Sequence, residues 1–560
     1  MPDISHWDVL VVGAGLAGEM AAVRAARLGR RVAVLSKTEP FRTHSRFPRG
    51  VNLSLQAGDD WRQQAEDIWN DSHFLADWDA VDVVCHEGPE VVLREFGDLL
   101  DRDDRGNVVA HDYAGTSRGI MSGNHTGLSF MRRLYGELRQ RDVPVLTDRT
   151  ITSLALDEGR CVGLTALNVL TGEVEGYAAR NLILCTGGYG YVYQNTAHGP
   201  ENAGDGHALG YRAGAALRDV EFLYFHHSNV YGTPLIITEG AYNQGVPLFN
   251  RDDEEFLGNY LPPGETLERY YMKRYMAMEL DAGRGVEGKY FYLDYGRMGE
   301  EYVNRNFPRT QKACMDTLGI DIVRDRVPVV LGVQASLGGI AIDLNGSTAV
   351  PGLYAAGECA CPGVHGADWR VGNPMLSALV FGSRAGVSAA GDGDPGDDPS
   401  TSLARVEQAV QTETVRLGEI ALRSSGTPYH LIRGELRRTM SEDVAVLRDA
   451  AKLERALATI HRLQDQYSNA CMLYQGMQFN EQLVDFLGLG SMLPIAEAIA
   501  TAAFERTESR GTHWRRDFPD RDDAHWMVHS FVTYTPGGPK LTYVPVQLGE
   551  FRPRETVVIR

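Results

Sequence analysis

The chain has no long apolar run, no cluster of cysteines, no excess of positive charge and no internal repeat. Each absence removes a class of protein. No stretch of the 560 residues approaches the roughly 20 consecutive apolar residues that cross a bilayer. The N-terminus lacks the basic start and apolar core of a secretory signal, so a cytoplasmic protein is expected. A formal net charge of −19 argues against general nucleic-acid binding, which needs a basic surface. It leaves small acidic substrates open, because local arginines decide those. The seven cysteines (Cys85, Cys161, Cys185, Cys314, Cys359, Cys361, Cys471) are scattered without zinc or iron–sulfur spacing. Cys359 and Cys361 make one close pair that no second pair completes. All seven read as reduced buried thiols; no metal site is expected, and the chain carries no electron wire of its own. The remainder, 43% hydrophobic and 23% charged, is an ordinary globular composition with room for two to four domains.

One stretch organises what is present. Asp8 to Lys37 reads DVLVVGAGLAGEMAAVRAARLGRRVAVLSK. An apolar strand-like run, Val9 to Val12, leads into Gly13, Gly15 and Gly18 at the GxGxxG spacing. A helical stretch, Glu19 to Leu28, and a second strand, Val32 to Leu35, complete the unit. The glycines serve a tight turn, close approach to a pyrophosphate and close helix–strand packing. The helix N-terminus offers free N–H groups to the phosphates, so the unit predicts dinucleotide binding. The acid that usually holds a ribose at the end of the second strand is missing. Ser36 and Lys37 stand there, with Glu39 the nearest acid.

Further along, FRTHSRFPRGVNLSL (41–55) is a loop with no clear period, and 61–104 reads as helical. Leu128 to Arg139 is an amphipathic helix, and 145–180 alternates like an antiparallel meander turning at Asp157–Gly159 and Thr171–Gly172. Two more glycine units follow, NLILCTGGYG (181–190) and VPGLYAAGE (350–358). Between them lie a loop entering a helix (202–215), strand-like runs at 221–225 and 234–237, and a Tyr- and Met-rich helix at 267–280. Another helix enters at 374–387. GDGDPGDDPS (391–400) reads as a solvated linker. Beyond it 402–422, 431–462 and 481–506 are helical, and the tail from 528 alternates like strands.

The three glycine units, with DEGRCVGLTALNVLTGEV, AGDGHALGYRAGAALRDVEF, IITEGA, VPGLYAAGEC and ESRGTHWRRDFPDRDDAHW in collinear order, resemble the flavoprotein subunit family of succinate dehydrogenase and fumarate reductase. L-aspartate oxidase belongs to the same family. The resemblance runs nearly end to end. It implies an α/β fold: a Rossmann-like FAD-binding domain (1–230 and 341–390) interrupted by a capping domain (231–340). A linker (391–400), a helical domain (401–507) and a small C-terminal α+β domain (508–560) would follow. The implied cofactor is FAD, held by the glycines of the first unit, Ser36, Lys37, Gly50, Gly187, Gly188 and Asn373. Asp205 would bind it through its carboxylate, and Glu358 would meet a ribityl hydroxyl. The family often links FAD to the histidine of an S-H-T motif. The matching stretch here is T-H-S around His44, and Pro48-Arg49-Gly50 replaces a glutamine–glycine–glycine. Both covalent attachment through His44 and non-covalent FAD stay open.

The resemblance also implies a pocket for a carboxylate substrate. Counting back from Gly283–Gly285, Arg269 falls where the family's proton-delivering arginine lies, with Tyr270 in place of the usual aspartate. His226, in Tyr224–Ser228, matches the substrate-binding histidine. Thr238 and Glu239 match residues that hold one carboxylate, and Arg370 matches the arginine for the other, in a loop one residue shorter. Gln334 replaces a second substrate histidine. A glutamine offers a neutral hydrogen bond and a carbonyl acceptor, which favours a substrate with one free carboxylate and a substituted or uncharged far end. The expected reaction is oxidation or reduction of a carbon–carbon bond by hydride transfer to or from flavin N5. Rival readings are an aspartate-oxidase-like enzyme and an electron-transfer subunit whose pocket has decayed. An iron–sulfur partner subunit, and attachment to a membrane through partners, are implied by resemblance alone.

Overall fold

The computed structural model describes residues 4–553 apart from 56–59, 114–115, 238–239, 261–268 and 393–398. Thr238 and Glu239 therefore lie outside the described residues, as does most of the 391–400 stretch.

A seven-stranded sheet forms the centre. Ser5–Val12 runs parallel to Val32–Leu35 on one side and to Val174–Leu184 on the other. Val145–Leu146 extends the parallel edge beyond Val32–Leu35. Val9, Leu10 and Val11 are fully buried, as a strand covered on both faces requires. Val174–Leu184 joins the parallel and antiparallel parts of this sheet. Its first half pairs antiparallel with Arg160–Asn168, which pairs in turn with Arg149–Asp157 to complete the meander. Its second half continues the parallel set and pairs with Leu353–Ala355. The strand ends where the second glycine unit begins, so the TGG turn is delivered beside the first glycine turn.

Two helix contacts fix the layer over this sheet. Leu16–Arg27 lies along Asn373–Gly391, and small residues let the backbones meet. A Cβ on Gly382 would come 2.6 Å from the Ala17 carbonyl oxygen, and one on Gly386 would come 2.3 Å from that of Ala21. Pro399–Ala421 packs Val406 and Val410 against Gly163 and Gly176 of the meander.

The hydrophobic core divides in two. A separate cluster runs from Val230 to Val329 and includes Phe256, Met272, Met276, Phe291 and Val303. It lies under a four-stranded antiparallel sheet, ordered Leu223–Val230, Val327–Ser336, Phe291–Leu293, Leu248–Phe249, and includes residues of the helix Arg269–Asp281. The run at 234–237 makes only an isolated bridge, Ile236 to Asn229.

Local pattern misplaces two helices. The 61–104 stretch is broken into Trp61–Asp71 and Trp78–Phe96, with Asp60 capping the first through Arg62 N–H. The 431–462 stretch is Tyr429–Asp443 and Ala450–Ser468, interrupted by Leu447–Arg448, which pairs with Trp514–Arg515. Asp449 caps the second helix by accepting from Lys452 N–H. Glu481–Glu505 is apolar all round, with mean hydropathy 1.6 over its most apolar window, and 83% of that window is buried. It packs on Asp205–Arg212 as a core helix. The hairpin Val528–Thr533/Lys540–Pro545 joins Leu217–Arg218, Gly339–Ala341 and Ala360–Cys361 in one five-stranded sheet.

Candidate active site

The nucleotide end is built by turns that tolerate no side chain. Gly13 has φ +109°, and a Cβ there would lie 2.1 Å from the Cys185 carbonyl oxygen. A Cβ on Gly18 would lie 1.9 Å from the Gly13 carbonyl oxygen, so strand, turn and helix are locked together. The helix Leu16–Arg27 opens at Gly15 without a side-chain cap, although Leu16 N–H donates to Ser45 Oγ at 3.1 Å. Ser36 Oγ donates to the Thr38 carbonyl at 2.6 Å. Lys37 Nζ reaches Asp205 Oδ2 at 2.9 Å, across from the second strand to the start of the helix Asp205–Arg212. Gly50 is buried against the Ile120 carbonyl. Side-chain-free turns and an uncapped helix N-terminus are the chemistry a dinucleotide pyrophosphate needs. The helix Asn373–Gly391 also opens without a side-chain cap, and Asn373 Oδ1 is buried with no hydrogen-bond partner among the described residues.

The flavin end follows from the second and third glycine units. Gly187 has φ +77°. A Cβ on Gly188 would come 2.1 Å from Glu358 Oε1 and 2.4 Å from Ser336 Oγ. Glu358 Oε1 accepts from Ser336 N–H at 2.8 Å and from Ser336 Oγ at 2.9 Å. Burial pushes the Glu358 carboxyl up, opposed by His44 and by those bonds. His44 sits edge-on to His198, ring centroids 4.9 Å apart. Burial, then the neighbouring His198, pulls the His44 imidazole down to about 4, so it is neutral. His198 has both nitrogens committed: Gly190 N–H donates to Nδ1 at 3.1 Å, so Nε2 carries the proton and donates to the Gln334 carbonyl at 2.7 Å. His44, His198 and Glu358 bring ligand atoms within 4.8 Å of one another. The commitment of His198 makes the trio a hydrogen-bonded wall rather than a metal site.

The substrate end lies on the same strand pair. Leu223 pairs with Ser336 and Tyr224 with Ala335, but Phe225 pairs with Val333. Gln334 is the extra residue of a β-bulge, a device that re-aims a side chain. His226 Nδ1 accepts from Ser228 N–H at 3.0 Å, which leaves the proton on Nε2. Burial, and next Lys273, pulls His226 down to about 3. His227 stacks on His226, centroids 4.9 Å apart, and Tyr242 covers its other side edge-on. Arg269 is the first residue of the helix Arg269–Asp281.

Two placements differ from what the motifs lead one to expect. Arg370 is committed to Asp71, with Nε to Oδ2 at 2.5 Å and Nη2 to Oδ1 at 3.1 Å, and Asp67 lies 3.8 Å from Nη1. A different cation, Lys273, is buried beside the strand Leu223–Val230, with its side chain 3% exposed. Lys273 Nζ lies 3.0 Å from Asp368 Oδ2 and 3.9 Å from the centre of the Tyr224 ring. Trp369 lies against Tyr224, centroids 5.4 Å apart, and Asp368 Oδ1 accepts from Trp369 N–H at 2.8 Å. Sequence reasoning passed over Lys273, Asp368, His198 and Ser336. Lys273 alone had a usable signal, since it follows Arg269 by four residues and so shares its helix face.

Side-chain-free glycine turns at the end of a parallel sheet, each leading to an uncapped helix, define a dinucleotide-binding fold. Residues 8–375 match the FAD binding domain family, and residues 433–558 match the fumarate reductase flavoprotein C-terminal family. The fumarate reductase flavoprotein subunit of Mycobacterium tuberculosis is 33% identical, covering 98% of this chain and 99% of that one. The mitochondrial succinate dehydrogenase flavoprotein subunit of Oryza sativa is 31% identical over 97% of this chain and 90% of its own. Among solved structures, Mycobacterium smegmatis Sdh1 superposes with TM-score 0.89 at 30% identity, covering 98% of this chain and 96% of that one. A variant of E. coli quinol fumarate reductase gives 0.90 at 26% identity, covering 99% of both. The chain belongs to the succinate dehydrogenase/fumarate reductase flavoprotein family, and its cofactor is FAD.

Proposed function

We propose that this chain oxidises or reduces a carbon–carbon bond next to carboxylate groups, with His226, Thr238, Glu239 and Gln334 holding the substrate and Arg269 moving the proton. One observation carries the reading. Tyr224, His226, Gln334 and Ser336 lie on a single strand pair, and His198 and Glu358 hydrogen-bond to its Gln334 and Ser336. FAD, when bound, supplies the hydride acceptor or donor. The protein's own part is to orient and to handle the proton. Neutral His226 donates Nε2–H to a carboxylate oxygen without adding a charge that water must solvate. By the resemblance, Thr238 and Glu239 would help hold the same carboxylate. Gln334 gives a neutral amide N–H and offers a carbonyl acceptor. Arg269, on the cap helix, exchanges a proton with the carbon adjacent to the one that exchanges hydride, and an acidic neighbour resupplies it.

Lys37, Asp205 and Asn373 hold the dinucleotide, with Ser36, Gly50 and the glycines of the first and second units giving it room. Covalent attachment, where it occurs, falls on His44, whose neutral imidazole is the attacking form. Six of the seven cysteines are buried free thiols and Cys471 is half-buried. An iron–sulfur partner subunit would give or take the electrons, a reading supported by the likeness of the whole chain to subunits of larger enzymes. The curated relatives are themselves described as flavoprotein subunits.

The test is anaerobic titration of the FAD-loaded protein against a panel of saturated and unsaturated carboxylates. At least one saturated member bleaches the oxidised flavin, or one unsaturated member restores the colour of the reduced flavin. A panel that changes neither state overturns the reading.

A further inference from the structure

We infer that Lys273, not Arg370, anchors the second carboxylate of the substrate, and that its partner Asp368 selects a substrate carrying an N–H or O–H donor beside that carboxylate. The inference rests on the function proposed above and names the substrate class of the same pocket.

The first ground is the commitment of Arg370. Its guanidinium makes a two-point pair with Asp71 and approaches Asp67, both on the helix Trp61–Asp71. A fork engaged edge-on by one carboxylate cannot offer the same edge to another. Rotating Arg370 toward substrate would leave Asp71, itself largely enclosed, without its cation.

The second ground is the position of Lys273. It sits one helical turn after Arg269, on the same face of the helix Arg269–Asp281. Its ammonium lies over the Tyr224 ring, two residues from His226, and beyond burial its charge further lowers the basicity of both His226 and His227. The charge thus acts on the side chains that face the substrate. A lysine kept 3% exposed on a cap helix, at the seam with the loop bearing Asp368 and Trp369, is in the place where a substrate anion needs a cation.

The third ground is the sign of the neighbour. Asp368 Oδ2 is 3.0 Å from Lys273 Nζ, and Oδ1 is held by the Trp369 backbone. A plain dicarboxylate bound to Lys273 would bring its anion beside the Asp368 anion, which is repulsive at short range in a water-poor pocket. A substrate with an amino, amide or hydroxyl group next to that carboxylate removes the conflict. Its carboxylate takes Lys273, and its N–H or O–H donates to Asp368. Gln334, with its carbonyl acceptor, suits the same class.

The competing explanation is that Lys273–Asp368 merely ties the cap helix to the FAD-binding part. Kinetics separate the two. Lys273→Met combined with Asp368→Asn removes both charges of this pair together, while Asn keeps the acceptor for Trp369 N–H. In FAD-loaded protein this double variant should raise KM for the best panel substrate at least about tenfold, the loss expected for one charge-assisted bond. Lys273→Arg, which keeps the charge, should recover part of that rise. Asp368→Asn alone should shift kcat/KM at least about tenfold away from amino- or hydroxy-substituted dicarboxylates and toward unsubstituted ones. Three results overturn the inference while wild type remains active. One is an unchanged KM with a lowered melting temperature. Another is an equal loss for both substrate types in Asp368→Asn. The third is a larger rise in KM for Arg370→Gln than for the double variant. Wild type that responds to no carboxylate overturns the function reading itself, and this inference with it.

Discussion

A free arginine gives up its proton only above about pH 12, so position has to supply what acidity does not. Arg269 opens the helix Arg269–Asp281, and in the function proposed above it is the residue that moves the proton. Lysine in the same place keeps the charge but loses both the fork and the length. Arg269→Lys should therefore lower turnover at least about a hundredfold, the size of a general-acid contribution, with FAD content unchanged. Steady-state rates with flavin absorbance on the same samples decide it, and turnover near wild type removes Arg269 from the chemistry. The other arginine drawn from the motifs shows where single-residue reading stops. Nothing within several residues of Arg370 announces that Asp71, 299 residues away in sequence, already occupies it. His198 is hidden for the same reason, since its partners Gly190 and Gln334 lie on different elements.

Glycine units were legible as elements because everything they need is local: a strand, a turn with positive φ and a helix start. The helix break at 444–449 was not legible. Leu447–Arg448 leaves the helical pattern to pair with Trp514–Arg515, and no local signal records that pairing. The glycines of the late helix Asn373–Gly391 carry a sharper consequence. In an isolated helix, replacing glycine with alanine helps by about 1 kcal/mol. Here a Cβ on Gly386 would meet the Ala21 carbonyl oxygen at 2.3 Å and the Ala21 Cα at 2.8 Å, both backbone atoms that cannot rotate away. Separating the two helices should cost about 1–3 kcal/mol, so the steric term outweighs the propensity gain. Because each helix carries a residue proposed to hold FAD, Gly18 on one and Asn373 on the other, FAD affinity should fall as well. Gly386→Ala is expected to melt lower and to release FAD at lower denaturant than wild type. A variant as stable as wild type would mean the helix pair is looser than this geometry.

At the scale of the whole molecule, one buried charge cluster joins parts of the chain more than 300 residues apart. His529, on the C-terminal hairpin, donates Nδ1–H to Asp219 Oδ2 at 2.6 Å and Nε2–H to Asp77 Oδ1 at 3.1 Å. Asp77 precedes the helix Trp78–Phe96, and Arg218 pairs with it from the shared sheet at 2.5 Å. Burial alone would lower the basicity of His529, but Asp219 above all, with Asp77, raises it above 6.5. For both carboxyls burial acts upward, yet contacts with His529 and Arg218 hold them below their usual range. The signs fix a window. Stability from charged His529 is fully present below pH 6.5 and is lost as pH rises through its raised folded value. Stability from Asp77 and Asp219 is present above about pH 3.8 and is lost in acid as pH falls through their lowered values. The buried histidines held neutral (His44, His73, His198, His207, His226, His365) have the opposite slope, and it is spent by about pH 7. From pH 7 to 9 stability falls with rising pH through His529 and, toward pH 9, through the six buried thiols that burial keeps protonated, so the difference between wild type and a His529 variant is what isolates His529. His529→Gln keeps hydrogen-bonding capacity but not the charge. It should lower stability by about 3 kcal/mol at pH 6, where the buried pairing is whole, and by progressively less toward pH 9. Melting curves of both proteins across that range give the difference directly. A gap that stays constant from pH 6 to 9 would show that His529 is neutral in the folded protein and that packing, not charge, joins the hairpin to the sheet.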